Sequence, residues 1–238
     1  MEHEHTAEAI RTRLAAGPRL SYLRDWIYGG IDGSVTTFAV VTGVIGADLA
    51  PAIIVILGVA NLLGDGFSMA ASNYLGTRTE RQEIEALHAQ ETRHIAVAPE
   101  GEREEVRQIF AAKGFTGDDL ERAVSVVTSD RERWIRFMLS EEFGLPLQVR
   151  SASTAALSTF SAFIICGLVP LLPFLLPVPH PFAVSVAMTL AVFFAVGSAR
   201  SRWLAMSWWR AGIETLIVGG IAATLAWAAG VFIARLVR

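Results

Sequence analysis

Asn61, Asp65 and Met69 stand four residues apart inside an apolar run, so on a helix they stack along one face. An amide oxygen, a carboxylate and a thioether in line are unusual company for lipid. Together they suit a transition-metal dication. The oxygens serve hard or borderline ions, and the sulfur favours softer ones over magnesium or calcium. A second acid, Asp32, sits in the preceding apolar run, Trp26 to Ala47, within Tyr28-Gly-Gly-Ile-Asp-Gly-Ser-Val-Thr-Thr-Phe. Keeping a carboxylate in such a run costs roughly 3 kcal/mol on insertion scales. Two readings are open for it. Asp32 faces the inside of a helix bundle as a cation or proton site, or it lies near the end of its span and reaches headgroup water beside the interfacial anchors Trp26 and Tyr28. Met69 taken alone is ordinary packing. In line with Asp65, and with Asp32 on the neighbouring run, it reads as part of an ion path.

Three further pairs lie in a charged central block. Glu91 and His94 are three apart, Glu102 and Glu105 three apart, and Met138 and Glu142 four apart. Each pair therefore shares one face of its own helix. On spacing alone these are solvated helical surface, as are Glu80 and Glu83. Glu91-x-x-His94 also has the spacing of a di-iron carboxylate motif. A membrane-anchored ferroxidase would need a second Glu-x-x-His on another long helix, and Glu102-x-x-Glu105 lacks the histidine. At the N-terminus His3 and His5 alternate with Glu2 and Glu4, which fits a frayed, solvated end more simply than a metal site.

The elements that must position these residues follow from composition. Of 238 residues 53% are hydrophobic and 18% charged, with mean hydropathy +0.45. Soluble domains carry about 25% charged residues. The apolar excess falls in blocks of about 20 residues, enough to cross a bilayer. The chain thus reads as an all-α polytopic membrane protein: an N-terminal tail (1–24), two spans (25–79), a soluble helical insert (80–148) and three more spans (149–238). The spans are expected near 26–47, 51–75, 151–176, 182–199 and 212–234. Pro51 suits the first position of the second helix, which runs on without a break into the charged stretch after Thr77. In the insert, residues 97–101 read as a turn. Gly114 ends one helix, Thr116 begins the next, and Ser129-Asp130 starts a last one that carries Trp134 and Met138 and stops at Gly144. Glu214 reads as an interfacial acid paired with Arg210. A net charge of −3 points to no nucleic-acid partner. The single cysteine, Cys166, leaves no intramolecular disulfide. The N-terminal residues show no cleavable signal pattern, so the first span is expected to act as its own insertion signal.

Five spans put the termini on opposite sides. Arg11, Arg13, Arg19 and Arg24 precede the first span, and Arg200, Arg202 and Arg210 flank the connector that carries Trp203, Trp208 and Trp209. The positive-inside rule makes that face, with the N-terminus and the insert, cytoplasmic. Arg235 and Arg238 argue mildly the other way. Ala- and Arg-rich composition suggests a bacterial plasma membrane.

Over nearly its whole length, from about Arg24 onward, the chain resembles the vacuolar iron transporter family, which includes nodulin-21-like plant proteins. The segments that carry the resemblance are Tyr28-Gly-Gly-Ile-Asp-Gly-Ser-Val-Thr-Thr-Phe, Gly64-Asp-Gly-Phe-Ser-Met-Ala, Glu142-Phe-Gly-Leu, Pro170-Leu-Leu-Pro-Phe and Gly219-Gly-Ile-Ala-Ala. The resemblance implies five membrane helices and a homodimer in the lipid bilayer. It implies export of Fe2+, and often Mn2+, from the cytosol in exchange for protons, with no tightly bound cofactor and no enzymatic activity. It ties Asp32 and Met69 to the translocation path. It also implies an insert that binds metal, with Glu91 and His94 at the first acidic pair, Glu102 and Glu105 at the second, and Met138 and Glu142 on the last helix. Two positions depart from the family pattern: His94 stands where glutamate is usual, and Leu139 where a second methionine is usual. Imidazole binds Fe2+, Mn2+ and zinc, so His94 is expected to retune the site, while a lost thioether weakens soft-metal binding. Zn2+ and Co2+ join the candidate ions on that ground. A metal sensor or scaffold is the remaining alternative. Polar groups in lipid at Asp32, Asp65 and Met69 speak against it.

Overall fold

The computed structural model describes residues 4–16, 20–146, 148–202 and 206–237, and among them it is all-helical. Glu2, His3, Arg19, Trp203 and Arg238 lie outside the described residues. A short helix, α1 (Ala7–Ala16), precedes α2 (Leu23–Gly46) and the 47-residue α3 (Pro51–Val97). Then come α4 (Pro99–Ala112), α5 (Gly117–Thr128) and α6 (Arg131–Glu141). The chain continues through α7 (Ala152–Leu168), a 3₁₀ turn (Val169–Leu171), α8 (Leu172–Leu175), α9 (Pro181–Arg200) and α10 (Trp208–Val237). Among the described residues five stretches are long and apolar enough to cross a membrane: α2, α3, α7 with α8, α9 and α10. Residues fall into two compact units, one of 21–75 with 152–238 and one of 1–20 with 76–151.

In the first of these units α2 is central. It packs most extensively on α7 and α10. Gly29 and Gly33 make this possible. A Cβ on Gly29 would lie 2.2 Å from the Thr159 carbonyl oxygen, and one on Gly33 would lie 2.4 Å from that of Phe163. Small residues four apart let two helix backbones touch where lipid offers no hydrophobic drive to association. Phe38, Val41, Ile54, Leu62, Phe163, Leu171 and Phe193 fill the core around that contact. The third span is broken as its prolines require. Pro170 and Pro173 each fall in the first turn of a short helical piece, where a missing N–H costs nothing. Glu214 pairs with Arg200 of α9, not with the expected Arg210, whose guanidinium instead lies 5.1 Å from the Trp209 ring centre. Glu214 lies near the start of α10 and Arg200 near the end of α9, so the ion pair ties neighbouring antiparallel helices.

In the other unit α4, α5 and α6 close over Val106, Val124, Trp134, Ile135, Met138 and Leu139, together with Ile95 from the end of α3. The expected turn over 97–101 shrinks to one residue. Helix α3 runs to Val97, only Ala98 leaves helical geometry (φ −134°, ψ 55°), and Gly101 is already inside α4. Pro99 explains this, because its fixed φ and absent N–H suit a first helical position. Gly114 ends α4 with a φ of +95°, a value few other residues adopt. Asp130 caps α6 by accepting the Arg133 N–H at 2.7 Å. Arg107 of α4 reaches Glu121 of α5 through two bonds of 2.8 and 3.1 Å.

Candidate metal centre

Glu91 and His94 come from the last turns of α3, and Glu102 from the first turn of α4. The near-immediate restart of the helix at Pro99 folds them onto one another. His94 Nδ1 lies 3.5 Å from Glu91 Oε1 and 3.4 Å from Glu102 Oε1. One ligand atom from each of the three residues lies within 4.8 Å of the others, a spacing that could hold a metal ion. Glu91 is 1% exposed and Glu102 6%, while the His94 side chain is half exposed. Carboxylates are seldom buried so far without a partner. Here the second oxygen of each, Glu91 Oε2 and Glu102 Oε2, is buried with no hydrogen-bond partner. Such orphaned acceptors are costly, and a cation would relieve them.

The electrostatics tell the same story. Burial, and then the neighbouring Glu102, raise the Glu91 carboxyl to about 7. Glu102 is raised by burial and then by Glu105, against the opposing influence of His94. Glu142, just past the end of α6, is raised by burial and then by Glu105 and Glu102. Glu91, His94, Glu102, Glu105 and Glu142 therefore act on one another. Among these five, His94, Glu105 and Glu142 are exposed. Met138 is fully buried within the apolar cluster of its unit, and Leu139 is buried beside it.

The membrane-spanning helices give a different pattern. Asn61 turns toward α2, with its amide nitrogen 3.3 Å from Thr36 Oγ1 and 3.5 Å from Thr37 Oγ1. Thr36 is one turn from Asp32 and donates to the Asp32 carbonyl at 2.8 Å, so the face carrying Asp32 looks toward α3. Asp32 is partly exposed, Asp65 exposed, and Met69 partly buried against the Phe38 and Phe163 core. Asp65 and Asp32 are near enough for their charges to interact.

Two polar residues of this bundle were not singled out from the sequence. Asp25 is 4% exposed in the first turn of α2. Asn73, the next residue of the stripe after Met69 at the same spacing of four, donates to Asp25 Oδ1 at 3.0 Å. The same amide nitrogen lies 2.7 Å from Thr159 Oγ1 and 3.3 Å from the Ala155 carbonyl on α7. Extending the four-residue stripe by one step was the available signal for Asn73. Asp25 gives no local signal, because it reads as the last polar residue before a span.

A model of the VIT family matches residues 23–231. The chain belongs to the VIT family. Among relatives of this family member, a protein of Arabidopsis thaliana named vacuolar iron transporter 1 is 29% identical over 208 residues, covering 86% of this chain and 83% of its own. A vacuolar iron transporter of Toxoplasma gondii is 27% identical over 88% of this chain and 73% of its own. One from Plasmodium berghei is 28% identical over 89% of this chain and 82% of its own. These relatives are named as transporters, not enzymes. Within this VIT family member the match takes in the Glu91, His94 and Glu102 cluster and all of the polar positions in the spans.

Proposed function

We propose that this protein is an integral membrane transporter that moves Fe2+, and Mn2+ as a second cargo, out of the cytosol by proton antiport. The observation that carries the reading is the family match over residues 23–231, with relatives named vacuolar iron transporters. The residues support it from below. Asp32 and Asp65 place two interacting carboxylates on neighbouring apolar helices, with Met69 one turn further along α3. That is a costly arrangement for lipid unless an ion uses it.

In this reading the acidic residues around Glu91 and Glu102 gather dications at the cytoplasmic face by lowering the local potential. Asp65, Met69 and Asp32 then carry the ion through the spans. The working unit is a homodimer in which two copies of Asp32 approach one another. Such a pair binds a dication well and resists double ionisation when empty. Ion entry displaces a proton, and a proton from the far side releases the ion. The N-terminus and residues 80–148 lie in the cytoplasm, and the membrane is a bacterial plasma membrane, so the cycle exports metal from the cell.

Ferrous-iron flux into sealed proteoliposomes, with and without a pH gradient, tests this. Flux should depend on the gradient in the native chain and vanish in Asp32→Ala. Normal flux in Asp32→Ala would remove the span carboxylate from the mechanism. Iron binding without flux in either protein would favour a sensor or scaffold.

A further inference from the structure

We infer that His94 makes the insert's cluster a nitrogen-and-oxygen site of tetrahedral habit, which holds zinc-like dications in preference to manganese and magnesium. This rests on the reading that residues 80–148 bind divalent metal, and it adds which ions they select.

The spacing of the donor atoms carries the inference. His94 Nδ1 stands 3.5 and 3.4 Å from one oxygen of Glu91 and one of Glu102. Those distances exceed an ordinary N–H···O hydrogen bond of about 2.7–3.2 Å. The two edges that meet at His94 Nδ1 are close to the edge of a tetrahedron instead, and the third, from Glu91 to Glu102, lies within 4.8 Å. Zinc bonds to nitrogen and oxygen run about 2.0–2.1 Å, which puts tetrahedral ligand atoms about 3.3–3.4 Å apart. Octahedral magnesium, with bonds of about 2.0–2.1 Å, brings adjacent ligands to about 2.9 Å. An octahedral ion spanning the observed distances would need bonds of about 2.4 Å, a calcium length, and calcium takes oxygen ligands, not imidazole.

The chemistry of the donors points the same way. Imidazole suits zinc, iron, copper and nickel, whereas all-oxygen sets suit magnesium, calcium and manganese. Glu91 and Glu102 are buried, with Oε2 of each unpartnered. Two carboxylates and one imidazole would hold the ion, and a fourth ligand would complete the tetrahedron. The His94 side chain is half exposed, so its replacement does not disturb the core.

Cobalt(II) titration of the full-length, chelator-stripped protein in detergent tests the geometry, because tetrahedral cobalt gives strong blue absorption and octahedral cobalt only weak pink bands. An Asp32→Ala background removes a span carboxylate as a competing ligand. The expected result is strong tetrahedral bands that one equivalent of Zn2+ abolishes and about a hundredfold excess of Mn2+ does not. His94→Glu should lose the strong bands and narrow the Zn2+ over Mn2+ preference by about tenfold or more. His94→Cys, which restores a tetrahedral zinc ligand, should recover the bands. Weak octahedral bands in the parent protein, or strong bands surviving in His94→Glu, would overturn the assignment. An absence of any cobalt binding would overturn the metal-binding reading itself and this inference with it. Failed iron flux with intact tetrahedral bands would count against transport alone and uphold the site.

Discussion

The chain handles buried polar groups in two ways. Near Glu91 and Glu102 it stacks acids against acids, leaves two carboxylate oxygens without partners and lifts Glu91 to about 7. In the spans it does the reverse. Asn61 meets two threonines, and Asn73 bridges Asp25, Thr159 and the Ala155 carbonyl. Asp32 and Asp65 are left partly or fully exposed on the single chain. Orphaned acceptors cost more in lipid than beside water. The spans therefore satisfy their fixed polar groups internally and keep two carboxylates on an open face. The other unit carries a strained acidic cluster of a kind that a bound cation would relieve. One region satisfies its polar groups internally, and the other leaves carboxylate oxygens unpartnered.

The sharpest way to break this contrast is to mutate each region and follow both readouts. Asp32→Ala should reduce iron flux by about 100-fold or more, while cobalt binding at the cluster stays as in the native protein. Glu91→Gln should weaken that binding and reduce flux most at low iron, by about tenfold. If either variant moves both readouts equally, the two regions do not have separate roles.

The cluster's strain also has a sign. The Glu91 carboxyl is raised from 4.5 to about 7, so the folded state holds its proton more tightly than the unfolded chain. Folding is therefore undisturbed below pH 4.5, is progressively destabilised as pH rises toward about 7, and bears the full cost above that. The size is about 3 kcal/mol for this carboxyl. In the presence of a chelator, amide protection factors around the end of α3, corrected for the base-catalysed intrinsic rate, should be larger at pH 5 than at pH 8. Glu91→Gln should remove most of that difference, and added metal should slow exchange at pH 8. A pH-independent protection factor in the chelated native protein would contradict the strained-acid description.

How far the sequence carries depends on the range of the interaction. Apolar blocks, Pro51, Gly114 and Asp130 act within a turn or two, and the helices they mark lie where expected within a few residues. Spacing of four predicted the stripe of Asn61, Asp65 and Met69, but not how it is oriented. Asn61 and Met69 are partly buried while Asp65, which lies between them on the face, is exposed, because burial is set by the neighbouring helices and not by spacing along one helix. The meeting of Glu91 and His94 with Glu102 depends on where the backbone bends. A single non-helical residue, Ala98, replaces the expected five-residue turn and sets the distances in the cluster. Pairing across separate helices was not legible at all, as Glu214 with Arg200 and Asn73 with Asp25 demonstrate.

Asn73 tests the other half of the contrast, the claim that span polar groups are held for stability. Asn73→Ala removes the donor that reaches Asp25, Thr159 and Ala155 together. It should cost about 1–3 kcal/mol, the range for stranding buried acceptors, and appear as earlier thermal unfolding in detergent with metal binding at the cluster unchanged. Flux lost with no loss of stability would instead place Asn73 on the ion path.

The smallest effect should come from a feature outside both polar regions. Asp130→Ala deletes the cap that accepts the Arg133 N–H, at a cost of about 1 kcal/mol. Amide exchange should rise in the first turn of α6. Helix α6 also brings Met138 to the apolar cluster and ends beside Glu142, whose carboxyl feels Glu105 and Glu102. Fraying at its start should leave that far end in place, because the buried Trp134, Ile135 and Met138 anchor the helix between. Cobalt affinity should therefore stay within about twofold of the native value. A larger loss would mean that the cluster depends on the whole of α6, and the unit that holds the cluster would then be a single cooperative unit, not a local site on a stable support.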